Sequence, residues 1–246
     1  MRKAILSLAI IGMVSLIVGG ATLALLEDKE SSKGNVIKAG TIDLKIDYRC
    51  EGGTCEVGFK DLGPGDHYFS ECDIKPGDSG EVTISWHVSD NKAWGRLRID
   101  DIVDYEYDCT EPEAKEDSTC EYDPYDPGEG LGDLSQYLTF TLWMDEGSVE
   151  GWQCETIQGG CKEDPEEGNN IFDEGTYDEY IAQDISVNEF KEGVVLPVEL
   201  DPANVYFVGL EWKLPSTIGN VIQTDSMTAS IIAEAVQSRN NPDKQF

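Results

Sequence analysis

The sequence predicts an all-β fold, a single antiparallel β-sandwich of jelly-roll type with long acidic, disulfide-stapled loops and one or two short helices. Apolar residues recur at every second position in six segments, each presenting one apolar face as a half-buried antiparallel strand does. Pro-Gly-Asp at 64–66 and 76–78 punctuates these segments as turns. No internal repeat or Pro/Ser linker divides the chain, and 246 residues suffice for one large β domain.

Taken in order, the chain starts with Arg2 and Lys3, followed by Ala4 to Leu26 without a charge. The small residues Gly19, Gly20, Ala21, Thr22 and Ala24 close this run, so residues 1–24 read as a signal peptide and Leu25 as the mature N-terminus. An uncleaved membrane anchor is the alternative, since the run is long enough to span. Either reading puts the folded part outside the cytoplasm. The domain is expected over 38–237. Its strands are centred on Ile42–Tyr48, Val82–Val88, Leu97–Ile99, Leu138–Met144, Val194–Leu200 and Tyr206–Leu214. Short helices are expected at Leu134–Tyr137 and near Tyr177–Asp184. Ser226–Gln237 fits a helix or a strand on its own residues. The polar end, Ser238–Phe246, reads as a flexible tail.

Charge excludes some partners. There are 18 Lys and Arg against 49 Asp and Glu, a formal net charge of −31. Such a polyanion is repelled by nucleic acid and by anionic lipid. If copies of it assemble, the repulsion must be screened by salt or neutralised by cations, so calcium is the expected ligand. Asp123, Asp126, Glu129 and Asp133 cluster among glycines and prolines and are the candidate metal ligands. Asp101, Asp104, Glu106 and Asp108 stand just upstream. Glu163, Asp164, Glu166, Glu167, Asp173 and Glu174 form a third group. None has the EF-hand register, and a solvated acidic surface is the competing reading for each.

All seven cysteines lie beyond the signal segment, where disulfides persist. Close pairs predict three loop-stapling bridges: Cys50 with Cys55, Cys109 with Cys120, and Cys154 with Cys161. Cys72 is left over, or else partners Cys50 or Cys55. The spacers lack the Cys-x-x-Cys pattern of zinc sites. No catalytic set is visible. His67 and His87 show no His-Glu-x-x-His spacing and both read as solvated, and Gly-x-Ser-x-Gly is absent. Carboxylates are too abundant for any one pair to mark a glycosidase. An enzyme is not expected.

Three stretches resemble the TasA/camelysin family of secreted, fibre-forming proteins. Glu27-Asp28, Glu30-Ser31, Gly34-Asn35 and Ala39-Gly40-Thr41-Ile42-Asp43-Leu44 are similar to the family's opening phrase, with Leu26 where an aromatic is usual. Ile74-Lys75-Pro76-Gly77-Asp78 is similar to its "L-K-P-G-D". Leu214-Pro215, Gly219-Asn220, Gln223 and Ala235-Val236-Gln237 are similar to its ending. The resemblance tips Ser226–Gln237 to a closing strand. It implies a jelly-roll subunit that polymerises head-to-tail with copies of itself by donor-strand complementation. The donor would lie in residues 25–37, with Leu25, Leu26, Glu27, Asp28, Lys29, Glu30, Ser31 and Ser32 as the strand that enters a neighbour. The protein would then be a secreted cell-surface filament, touching the membrane only through its signal segment. The proteolytic activity ascribed to camelysins has no matching residues here. The rivals are a monomeric calcium-binding adhesion module and, less favoured, a secreted hydrolase.

Overall fold

Alternation in the sequence becomes a two-layer core. Val82, Ile84 and Trp86 of one strand, and Leu97 and Ile99 of the next, are almost wholly buried in one hydrophobic cluster. Residues 27–31, 43–50, 57–62, 66, 68, 69, 71, 74–120, 128–155 and 161–246 are described by the computed structural model. In chain order these contain β1 (Glu27–Ser31), β2 (Leu44–Cys50), β3 (Val57–Lys60), β4 (Ser79–Val88) and β5 (Ala93–Glu106). Then follow helix α1 (Leu134–Tyr137), β6 (Thr139–Met144), β7 (Glu179–Ser186), helix α2 (Val187–Glu192), β8 (Val194–Leu200), β9 (Tyr206–Lys213) and β10 (Asp225–Gln237). Single 3₁₀ turns lie at Glu113–Lys115 and Asn220–Ile222.

One sheet has four strands in the order β1-β10-β5-β8, and the other six in the order β3-β2-β4-β9-β6-β7. Every pairing is antiparallel. The inner faces interdigitate. Gly95 on β5 lacks a side chain where the Trp86 ring from the opposite sheet arrives, 3.1 Å from the place a Cβ would take. The chain is therefore an all-β sandwich, as expected; its strand order does not by itself make it a jelly roll. Helix α1 and the closing strand β10 fall where they were expected.

Three expectations change. The stretch near Tyr177–Asp184 is not helical but supplies β7, which pairs with β6 through two register shifts. The helix follows it: Ser186 and Glu189 form a reciprocal capping box for α2, and Gly193, at φ 95°, ends it. Second, the polar face of β4 is not solvent-facing. Thr83 and Ser85 are fully buried, because residues 145–155 and 161–178 return across the outer face of the six-stranded sheet. His87, expected to be solvated, is accordingly half-buried, with its ring 2.8 Å from Ser85 Oγ. Third, the C-terminal tail is held down. Trp94 Nε1 donates to the Asn241 carbonyl, Lys244 lies over the Trp94 ring, and Phe246 lies over Arg96. That tail packs on the outer face of the four-stranded sheet through Trp94 and Arg96, the face on which Ile232 and Val236 are buried.

Candidate functional site: an edge strand and a carboxylate cluster

Two regions stand out, at opposite ends of β10. At the C-terminal end, β1 runs antiparallel along the outer edge, with Glu27 opposite Val236 and Ser31 opposite Ile232. β10 is buried on both faces there: Ala233 and Ala235 belong to the core cluster, while Ile232, Glu234 and Val236 are buried on the other face. An edge so buried must have its outward N–H and C=O groups paired. Expected to enter a neighbouring subunit, Glu27–Ser31 is here paired within its own chain, which supplies the partner that this edge requires. Leu25, Leu26 and Ser32 of the expected donor lie outside the described residues.

At the N-terminal end, Asp225 opens β10 directly opposite Glu106, the last residue of β5. The loop 109–120 folds over them, closed by the Cys109–Cys120 disulfide, and its 3₁₀ turn carries Glu113. Glu106 is 1 % exposed and Glu113 0 %. One carboxylate oxygen of each of Glu106, Glu113 and Asp225 lies within 4.8 Å of the other two.

One oxygen of each is held. Glu106 Oε1 faces Thr224 Oγ1 at 2.9 Å, Glu113 Oε2 accepts from the Thr110 N–H at 3.1 Å, and Asp225 Oδ2 from the Asp133 N–H at 2.6 Å. Their second oxygens, Glu106 Oε2, Glu113 Oε1 and Asp225 Oδ1, are buried without a hydrogen-bond donor. Thr224 cannot satisfy all its neighbours. Its single proton is sought by Glu106, by Glu113 at 3.3 Å and by the Asp108 carbonyl at 2.7 Å. Burial, more than any other cause, raises the pKa of Glu106 and Glu113 and pushes Asp225 up to about 7. No Lys or Arg pairs with any of the three among the described residues.

The predicted ligands fare differently. Asp123 and Asp126 lie outside the described residues. Glu129 is exposed and meets Tyr105 through a backbone bridge. Asp133 is half-buried; its N–H serves Asp225, and its own carboxylate accepts from Gln136. Of the upstream group only Glu106 joins the cluster; Asp104 instead accepts from the N–H and hydroxyl of Ser135 in α1. Glu113 and Asp225 carried no local signal, since only the β5–β10 register and the loop above it bring them together.

The third acidic group folds its own loop. Asp164 accepts from the Val149 N–H, the Ser148 hydroxyl and the Glu166 N–H, which hold it below the usual carboxylate range although burial opposes them. Glu167, pushed up to about 7 by burial, takes the N–H groups of Gln153 and Cys154. Glu167 also lies near Cys154 and Cys161, but those sulfurs form a disulfide and offer no thiolate to a metal. The predicted bridges 109–120 and 154–161 are both present. Cys55, Cys72 and the side chain of Cys50 lie outside the described residues. Both disulfides indicate an oxidising, extracellular-like environment. No helix among the described residues is long and apolar enough to cross a membrane.

One further grouping invites a catalytic reading. Ser85 Oγ lies 2.8 Å and Asp47 Oδ1 3.5 Å from the same nitrogen, Nε2, of His87. A serine nucleophile needs its acid on the opposite nitrogen of the base. With Ser85 fully buried as well, this trio fits structural packing better than acyl transfer.

Compared with known proteins, the chain matches no protein family and no curated relative.

Proposed function

We propose that the chain is the secreted subunit of an extracellular filament, a pilus or biofilm-matrix fibre, that grows head-to-tail by passing β1 from one copy to the edge of β10 in the next. The observation that carries this reading is the β1–β10 pairing itself. β1 is a five-residue strand at the end of its sheet, followed in sequence by β2 in the other sheet. Exchange replaces each intramolecular ladder bond with the same bond between copies, so its balance is set by concentration rather than by new chemistry. A contact made this way is not self-complementary, so it propagates instead of closing. Removal of the preceding apolar segment would free the donor.

The test is a mature chain lacking Leu25–Ser32. It is expected to stay monomeric, while the chain that begins at Leu25 forms filaments visible by negative-stain microscopy. Filaments from the shortened chain would overturn the reading, as would a full-length mature chain that stays monodisperse at every concentration. A monomeric surface module is the second reading, favoured by one observation: β1 already completes its own sheet.

A further inference from the structure

We infer that Glu106, Glu113 and Asp225 form a built site for one divalent, oxygen-seeking cation of the calcium class. The inference is independent of the filament reading. It rests on the second oxygen of each carboxylate. Three such oxygens from three separate segments are buried and meet no N–H or hydroxyl donor, although the Glu106 and Asp225 carboxylates lie within hydrogen-bond reach of each other, and they belong to groups gathered within 4.8 Å. Two of the three residues are at least 99 % buried. A merely solvated acidic surface does not bury carboxylates. Asp178 meets N–H groups of Gly147 and Asp173 on its two oxygens, and Asp145 leaves one oxygen without a donor, whereas here three neighbouring carboxylates each leave one.

The donor set also selects the ion. It is all oxygen and all anionic, which excludes a preference for thiolate-seeking metals. The ligands come from a strand end, a stapled loop and a strand start. That irregular frame suits calcium, which accepts six to eight oxygens in loose geometry, better than the strict octahedron of magnesium. Asp117 sits beside the group, with one ligand atom within 4.8 Å of Glu106, so a fourth carboxylate is at hand. Waters would complete the shell. The competing account is a proton shared between Glu106 and Asp225, which lie opposite each other at the strand ends.

The test uses the full mature chain after chelation, titrated with calcium chloride. One equivalent more is expected to bind to the wild type than to Glu113→Gln or Asp225→Asn, with the melting temperature rising by several degrees in the wild type only. Chelated, both variants should melt at or above the chelated wild type, because each removes one of three mutually repelling, crowded carboxylates. Equal stoichiometry in wild type and variants overturns the site, as does a wild type indifferent to calcium, which is what the shared proton requires. Should a variant fail to fold, hydrogen exchange on the wild type decides. Calcium is expected to slow amide exchange about tenfold or more over residues 108–117 and 224–226, with no change over 145–178. Unchanged exchange in the first two segments overturns the proposal.

Discussion

Glu234 on β10 lies directly across from Arg96 on β5 and accepts from its guanidinium, while Arg98 reaches the other carboxylate oxygen at 3.2 Å. Only 2 % of the Glu234 side chain is exposed, against 23 % for Arg96 and 15 % for Arg98. The tail seals this cluster, with the Phe246 ring 4.5 Å from the Arg96 guanidinium. Arg98 also binds Asp100, so two cations meet two anions. The sequence alternation hides this pairing, because Glu234 and Arg96 read as ordinary outward residues. Glu234→Gln would leave Arg98 with Asp100 and take from Arg96 its carboxylate partner. Breaking a buried pair costs about 3–5 kcal/mol, and the partial solvation of both arginines puts the expected loss near about 3 kcal/mol. Urea denaturation measures it; a change below about 0.5 kcal/mol would mean that the cluster is surface decoration.

Asp145 gives the fold a pH dependence. Its Oδ2 faces Thr83 Oγ1 and the Asn170 N–H at 3.1 and 3.2 Å, but Oδ1 is buried without a donor. Burial first, and the Asp178 charge second, push its pKa from 3.8 up to about 7. The folded state therefore binds this proton more tightly than the unfolded chain. The stabilisation is complete below about pH 4 and is lost as pH rises through about 7. Asp145→Asn removes the ionisation while keeping an acceptor for Thr83. The difference between wild type and variant is expected to shift by on the order of 4 kcal/mol between those limits, in the variant's favour at high pH. Denaturant midpoints measured from pH 4 to 8 provide the check, and parallel curves for the two proteins would refute it.

The outer face of the six-stranded sheet is sealed by an aromatic laid over a glycine. Trp143 on β6 is in register with Gly209 on β9, and its ring passes 1.9 Å from the place a Gly209 Cβ would occupy. Phe172 meets that ring edge-on at 6.4 Å and stacks on Tyr180 at 3.8 Å. Gly209→Ala must displace the indole and with it the returning loop, at about 3 kcal/mol, the upper range for overpacking. Adding Trp143→Leu should recover part of that loss, since the clash partner is gone. A double variant that loses the sum of the two single effects would show that the residues do not act on each other.

Alternation made the inner layer legible: Val82, Ile84, Trp86 and Val88 are core residues because period two marks the face a sheet buries. It failed where the second face was covered from a distance. Thr83 meets Asp145 and Asn170, 62 and 87 residues away, and no local pattern announces that return. The pairings Cys109–Cys120 and Cys154–Cys161 were legible because each bridge closes a short loop. The Ser186–Glu189 capping box was also written in the sequence, yet the helix was expected one element too early, over a strand whose exposed edge carries no clean alternation. For the carboxylate cluster, acid density pointed to Glu106 and its neighbourhood but not to Glu113 or Asp225. Density marks solvated loops most often, whereas Glu113 is wholly buried and Asp225 half-buried, and burial is set by strand register.

The Cys109–Cys120 bridge and the carboxylate cluster constrain the same loop, and their effects should be coupled. Closing a loop with a sequence separation of 11 stabilises by about 3 kcal/mol through the unfolded chain. In the folded protein the bridge also forces Glu113 and Asp117 toward Glu106; after burial, the Asp117 charge raises the pKa of Glu106, and the Glu106 and Asp117 charges raise that of Glu113. Replacing both cysteines by serine lets the loop lift and relieves that repulsion, which offsets part of the loss. With calcium bound there is no repulsion to relieve, and a lifted loop also surrenders a ligand. The double variant should therefore lose more melting temperature in calcium than in chelator. An equal loss in both conditions would mean that the bridge steadies the loop without reference to the charges beneath it.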